Sequence, residues 1–571
     1  MVTKNDITKY DDDMLEIMQD PVQWANAHLK INPNDAGPRW YQEQILRHPH
    51  NRMVLRCGRR VGKCIVDSQR VLNSETGEYK SVDELYKEKN QNIDIFTMSE
   101  NFKNVKSKTF YIEDNGIKDA YKVTTKSGHE IQLTDNHPLY TVKGWKEVRR
   151  LKVGDYIATP SSTPVFGKRV KSKNYLKLMA YVIGVGRIKD NLLILDIKKD
   201  FVVEDIKKIC LEENIKLIQN TKQTYIFIDK DDFYKNKLLE NKDSFPNEVY
   251  TYSEETLKEF LAYYCDIRGW VSRKKTGEFG ISSPNKQLMR DLKHLFLRFG
   301  CLSNISIKNV GGKDTYQLLF NKRIHLKKFL EEIGIVYGIR DYESLLNSLS
   351  EVIPRDERIP KDIWQYIERR RKRKNMPRKK MTGNEDRRLR TDKGISRELL
   401  SIYAKNLKDD YLMDLANSDV IWEKIIDIEY VGEKQTYDIF VPETHNLVIE
   451  DVFVHNTWTM CAHMLWVAFT GNGGKIPSGA TCVVATPYDN QARLIFDQLT
   501  QFINNNDVLK SSVESMTKNP YFIKFKNGGV IKLFTAGTKS GSEGGALRGQ
   551  KADWLYMDKQ TLSLYVVTHI E

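Results

Sequence analysis

A chain of 571 residues is too long for one hydrophobic core, so several domains are expected. Its formal charge of +14 favours an anionic partner, nucleic acid first. No apolar run reaches the ~18 residues of a membrane-spanning helix. The seven cysteines are scattered without a CxxC pair, which argues against a disulfide framework or a structural zinc site and suits a reducing cytoplasm. The opening MVTKNDITKYDDDMLEIM is polar and acidic, unlike a secretory signal.

In chain order, Met53-Val54-Leu55 reads as a short buried strand, and Gly58 to Lys63, GRRVGK, as the start of a phosphate-binding loop. Such a loop continues into a Ser or Thr that holds magnesium and a helix whose N-terminal amides face the phosphates. Here Cys64 follows, and IVDSQRVLNSETGEYKSVDEL alternates like strands and turns. The expected helix lies far downstream, where Met460, Met464, Leu465 and Ala468 recur at helical spacing after Thr457. Joining Lys63 to Thr457 restores strand, loop and helix. It removes Cys64 to Asn456, 393 residues, and leaves 178.

The removable segment begins with a thiol nucleophile, ends with His455-Asn456, and is followed by the hydroxyl of Thr457. This arrangement resembles an intein, a self-excising protein segment. GHEIQLTDNHPLYTVKGWKEVRRLKVGDYIA carries the family's TxxH pattern as Thr134 and His137. IIDIEYVGEKQTYDIFVPETHNLVIEDVFVHN places Asp438, His445, His455 and Asn456 where the family has its C-terminal blocks. The resemblance implies an all-β Hint horseshoe that brings both splice junctions together. It also implies roles for these residues. Cys64 attacks the Lys63 carbonyl, Thr134 orients the scissile peptide, and His137 protonates the departing nitrogen. Asp438 assists transfer to Thr457. His445 and His455 polarise and shuttle protons while Asn456 cyclises. No cofactor is implied for splicing.

The middle of the segment resembles a LAGLIDADG homing endonuclease. LAYYCDIRG, Leu261 to Gly269, aligns with the name motif position by position, and MAYVIGVGR, Met179 to Arg187, aligns more loosely. In that family the eighth motif residue is an acid that holds a divalent metal. The alignment puts Gly186 and Arg268 there, with Asp190 and Asp266 nearby in other positions. Glycine offers no ligand and arginine repels a cation, so a retained fold with lost nuclease activity is expected, magnesium being needed only if activity survives. Arg369 to Lys380, RRRKRKNMPRKK, reads equally as a solvated linker or as a DNA-phosphate contact.

The flanks, read as one 178-residue protein, resemble the ATPase domain of the large terminase subunit of tailed bacteriophages. Gln42 stands where an adenine-reading glutamine lies, Gly58, Arg59, Gly62 and Lys63 form the phosphate loop, and Thr457 and Asp558 would hold magnesium beside ATP. A full loop match would have glycine at Cys57. Lys559 stands where the family has its catalytic glutamate, and the chain stops at Glu571. A truncated chain or read-through into an intron both explain this, and the intron is preferred because another mobile element already interrupts the gene at its other ATP motif. As written, the host segment is expected to be ATPase-like but inactive.

The expectation is thus a multidomain chain: 1–63 as the first part of an α/β P-loop ATPase, 64–165 and 421–456 as the two halves of the Hint horseshoe, 166–345 as an inserted α+β LAGLIDADG endonuclease-like domain, 346–420 as a basic linker region, and 457–571 as the incomplete second part of the ATPase. Its partners would be DNA and ATP, with phage portal and small terminase after splicing, no membrane, and the bacterial cytoplasm as location. A helicase-like or repair ATPase host remains an alternative, as does an active DNA-cleaving homing enzyme.

Overall fold

The computed structural model describes Trp24 and most of 64–557; the longest stretches outside its description there are 337–348, 350–357, 382–392 and 536–550, and 1–23, 25–63 and 558–571 also lie outside it. The chain divides into two compact units, Cys64–His455 and the remainder.

The larger unit opens with β1 (Ile65–Val66), β2 (Arg70–Leu72), β3 (Tyr79–Ser81) and a short helix α1 (Val82–Lys87). Ser81 starts that helix through a reciprocal capping box with Glu84. There follow β4 (Asp94–Met98), β5 (Asn104–Lys108), the 15-residue β6 (Tyr111–Thr125), β7 (Glu130–Thr134), β8 (Pro138–Thr141), β9 (Gly144–Glu147) and β10 (Tyr156–Pro160).

Two repeats of one pattern come next. The first is α2 (Lys173–Val185), β11 (Gly186–Lys189), β12 (Leu192–Asp196), α3 (Asp200–Glu212), β13 (Lys216–Thr221), β14 (Thr224–Ile228) and α4 (Phe233–Glu240). The second is α5 (Glu254–Arg268), β15 (Gly269–Val271), β16 (Phe279–Ser283), α6 (Lys286–Arg298), β17 (Asn304–Val310), β18 (Lys313–Leu319) and α7 (Arg323–Glu332). The two four-stranded sheets share one order, β11-β12-β14-β13 and β15-β16-β18-β17. Helix α5 shows why it forms and packs. Ser253 caps it by accepting from the Thr256 amide, two glutamates occupy its first turn, and Leu257, Phe260, Leu261, Tyr264 and Cys265 line one buried stripe at helical spacing. It packs against α2.

The described parts of 346–420, expected as a basic linker region, carry secondary structure. It holds β19 (Arg358–Ile359), α8 (Ile363–Arg373), β20 (Ile395–Ser396), α9 (Arg397–Leu407) and α10 (Asp410–Ala416). Ile363, Trp364 and Ile367 anchor α8 in the large core with Leu400, Tyr403 and Leu412. The first part of the basic run, 369–373, therefore forms the C-terminal turn of a helix, where cations suit the helix dipole, and Arg370 is tied to Asp409 at 2.5 Å.

The unit closes with the 21-residue β21 (Val420–Phe440), β22 (Asn446–Ile449) and β23 (Val452–His455). One sheet runs β1-β7-β6-β21-β10, and β1 pairs with β21 as well, so β1, β7, β6 and β21 close into a ring at the point where the chain enters from Cys64. A second sheet runs β3-β2-β22-β23-β8-β9. Strands from both ends of the segment are therefore interleaved, although some 260 residues separate β10 from β21 in sequence. Glu450 and Asp451, at φ 47° and 60°, make the tight turn that joins β22 to β23.

Helix α6 fastens the second repeat to this β scaffold. Arg70 bonds to Asp291 at 2.7 Å and Glu450 at 3.1 Å, Arg290 reaches Glu450 at 3.0 Å, and His294 lies 2.9 Å from Asp451. Burial opposes ionisation of Glu450, but Arg70 and Arg290 overcome it and hold the carboxyl below its usual range.

The second unit is described at Trp24 and from α11 (Thr459–Thr470) through β24 (Thr481–Thr486), α12 (Asp489–Asn504), α13 (Asp507–Ser512), β25 (Val513–Lys518), β26 (Tyr521–Phe525), β27 (Val530–Thr535) and β28 (Trp554–Met557). Its sheet runs β25-β26-β27-β24-β28, with β24 parallel to both neighbours. The helical spacing after Thr457 is that of α11, whose Met464, Leu465 and Ala468 are buried, and Trp24 packs on Phe469 with ring centroids 5.7 Å apart. Among the described residues no helix is long and apolar enough to cross a membrane.

Candidate functional site

Cys64 is fully buried immediately before β1. Its backbone is gripped by the end of β7: the Thr134 amide donates to the Cys64 carbonyl at 3.0 Å, and the Cys64 amide donates to Thr134 Oγ1 at 3.1 Å. The Thr134 hydroxyl has one proton, and Asn136 Oδ1 accepts it at 2.7 Å. Its lone pairs are thereby turned to the Cys64 nitrogen. That nitrogen is one end of the Lys63–Cys64 peptide bond, so Thr134 touches the bond that splicing would break.

His137 follows three residues later, in the turn between β7 and β8. Its amide donates to the Thr134 carbonyl at 3.0 Å, and its carbonyl accepts from Val148 at 3.0 Å, which fixes the backbone on both sides. The ring is 1% exposed, and Nδ1 lies 3.3 Å from the Cys64 carbonyl oxygen. The TxxH spacing thus works because a strand end and a tight turn bring a hydroxyl and an imidazole onto the same residue.

The thiol has a neighbour that sequence reasoning missed. Lys118 Nζ, on β6, donates to Cys64 Sγ at 2.7 Å. Burial pushes the Cys64 thiol up, and the Asp438 carboxylate pushes the same way, while Lys118 and the Thr436 hydroxyl pull it down. The net direction is up, which disfavours the thiolate. Asp438 lies on β21, opposite Glu113 of β6, and is half-buried.

At the other end, β23 carries His455. The antiparallel pairing Leu139 to Val454, continued by one residue, sets His455 opposite Pro138, next to His137. The backbones of both histidines therefore lie close together at the adjoining ends of β8 and β23, two central strands of that sheet. Lys63, His445, Asn456 and Thr457 lie outside the described residues, as do Gln42, Gly58, Arg59, Gly62 and Asp558.

The helix pair of the inserted region corrects one sequence assignment. Gly186 follows α2 at φ −75°, ψ 146°, and Gly269 follows α5 at φ −76°, ψ 153°. Each donates its amide to the carbonyl four residues back, from Val182 and Cys265. A Cβ at either glycine would fall 2.3 or 2.4 Å from that same carbonyl oxygen. Gly186 is therefore the counterpart of Gly269, and the residue matching Arg268 is Val185, not Gly186. The first repeat has glycines at both 184 and 186, and spacing alone chose the wrong register. Val185 and Arg268 supply no side-chain oxygen for a divalent cation. Asp266 is buried, with Oδ2 accepting the Val336 amide at 3.1 Å, and Asp190 sits in the turn between β11 and β12.

Comparison with known proteins matches residues 71–456 to the intein splicing domain model. A replicative DNA helicase DnaB of Nostoc sp. is 24% identical over 441 residues, 68% of this chain and 49% of the relative. The DnaB of Rhodothermus marinus is 25% identical over 389 residues, 60% of this chain and 40% of the relative. The chain thus spans half or less of the length of these relatives. Among solved structures, a mutant of the Ssp DnaB mini-intein variant M86 is 11% identical, covering 69% of this chain and 99% of that one at a TM-score of 0.24. The homing endonuclease I-DmoI, solved with DNA and Mn, is 15% identical over 29% of this chain and 98% of its own, at a TM-score of 0.23.

Proposed function

This chain belongs to the intein splicing domain family, and from that membership we propose that it excises residues 64–456 and joins Lys63 to Thr457. The observation that carries the assignment is the grip on Cys64. Thr134 holds its nitrogen, His137 lies against its carbonyl, and the strand bearing His455 ends beside them. Reactants held in this way can gain effective molarities of roughly 10⁵ M or more.

Cys64 Sγ bonds to the Lys63 carbonyl carbon, the Lys63–Cys64 C–N bond breaks, and the thiol proton ends on the Cys64 nitrogen, with His137 as the acid. The Thr457 hydroxyl then replaces sulfur on that carbonyl, assisted by Asp438. Asn456 closes on its own carbonyl and releases the segment, with His445 and His455 handling protons. A final ester-to-amide shift leaves a Lys63–Thr457 peptide. All groups come from the chain, which acts once. In Asn456→Ala protein, dithiothreitol should release residues 1–63 through the thioester, read as a new band within hours. A chain stable to thiol would contradict the assignment.

For the host we retain the terminase motor. Gln42, Gly58, Arg59, Gly62 and Lys63 would contact ATP, and Thr457 with Asp558 would hold magnesium once joined. The parallel β27-β24-β28 core and the Gly/Ser-rich GTKSGSEGGALRG stretch support this reading. The DnaB relatives favour a helicase-like host instead. An RNase H-like nuclease encoded downstream would decide for terminase, and a RecA-like helicase core would decide against it.

The paired repeats support a LAGLIDADG-type ancestry, and Val185 with Arg268 supports loss of cutting. The excised segment should bind DNA weakly, through its basic surface, with affinity falling steeply between about 50 and 200 mM salt. It should leave an uninterrupted gene copy uncut in magnesium. Site-specific cleavage would overturn this part and direct attention to Asp190 and Asp266.

A further inference from the structure

Strand β6 is inverted where it passes the nucleophile. Its alternating faces should put apolar residues inward and charge outward. Instead Ile117 is 57% exposed and Lys118 is 7% exposed. Burying an ammonium is unfavourable unless a partner compensates. A solvent-facing Lys and an inward Ile would avoid that cost, so packing does not explain the choice. Lys118 Nζ lies 2.7 Å from the sulfur of Cys64, the atom that must become a nucleophile.

We propose that Lys118 is a catalytic residue of the first splicing step, which donates an N–H···S hydrogen bond that stabilises the thiolate as Cys64 attacks the Lys63 carbonyl. The proposal rests on the assignment of Cys64 as nucleophile. The step balances without consuming the lysine: the S–C bond forms, the C–N bond breaks, and the thiol proton passes to the departing Cys64 nitrogen.

The neighbouring charges explain why such a group is needed. Asp438 on β21 works against thiolate formation, as burial does, while His137 faces the Cys64 carbonyl from the other side. Lys434 is the cross-strand partner of Lys118 in the register, but it is exposed. The ring closed by β1, β6, β7 and β21 fixes Lys118 and Cys64 on facing strands, so the contact is built into the fold.

The test uses the full chain with Asn456→Ala, following dithiothreitol release of residues 1–63 against pH. Lys118→Met keeps the length of the side chain and removes its charge. It should slow release by at least about tenfold at neutral pH, with the inflection of the rate profile displaced to higher pH. Lys118→Arg, which keeps a cation, should retain more of the rate than Lys118→Met. In Cys64→Ala chains that keep Asn456, C-terminal cleavage should proceed equally with Lys118 intact and with Lys118→Met, because that reaction does not use the sulfur. An unchanged release rate and profile in Lys118→Met would overturn the proposal. So would equal loss of both cleavages in the Lys118→Met and Lys118→Arg variants, which would make Lys118 a folding residue. Failure of the Asn456→Ala parent to release residues 1–63 would instead refute the underlying assignment of Cys64.

Discussion

Cys64→Ala combined with Asn456→Ala should leave the precursor whole, with ligated product lowered by on the order of 10³-fold or more, below detection on a gel. Alanine offers no atom to attack the Lys63 carbonyl, and without the thioester the Thr457 hydroxyl faces an unactivated amide. The single variants separate the steps. Cys64→Ala alone should still cleave before Thr457, because Asn456 cyclisation needs only its own amide and backbone carbonyl. Asn456→Ala alone should still form the thioester and its Thr457 ester, but should not release the segment. These outcomes are read by gel and by mass. A ligated product from the double variant would remove both residues from the mechanism.

The second large effect concerns the interrupted phosphate loop. In the precursor Lys63 is bonded to Cys64, so the loop does not run into the helix that should cap the phosphates. That helix is already formed, over Thr459–Thr470. On the proposed ATPase reading the missing element is the covalent joint, which would set the loop amides and the Thr457 hydroxyl around one phosphate. ATP binding with magnesium should be on the order of 100-fold weaker in the Cys64→Ala, Asn456→Ala precursor than in the joined host, or about 2.7 kcal/mol. Titration of a fluorescent ATP analogue measures the difference. Equal affinities would show that the insertion does not gate the site.

What can be read from sequence is chemistry carried by local spacing. Thr134 and His137 are three apart, so one strand end and one turn suffice to place both, and the pattern is legible. The same holds for α5, whose cap and buried stripe are contiguous. The contacts that escape are those made by pairing distant strands. Lys118 stands 54 residues from Cys64, and in sequence it is one lysine among many on a basic chain. Only the sheet shows that it points inward and Ile117 outward. The ion pairs of α6 join residues more than 150 apart, such as Arg70 with Asp291. The 346–420 stretch reads as a linker because nine basic residues hide three apolar anchors just upstream, Ile363, Trp364 and Ile367. The off-by-one register at Gly186 arises where two glycines compete, and backbone geometry at the helix end decides between them.

The most direct test of splicing is intact-mass spectrometry of the freshly expressed, unmutated chain. Excision predicts two species: a 393-residue segment from Cys64 to Asn456, lighter by one water than the free acid because of its terminal succinimide, and a 178-residue protein in which Lys63 precedes Thr457. A peptide spanning that new junction should appear on digestion. A single species at the full 66.5 kDa, or flanks released without being joined, would contradict the account.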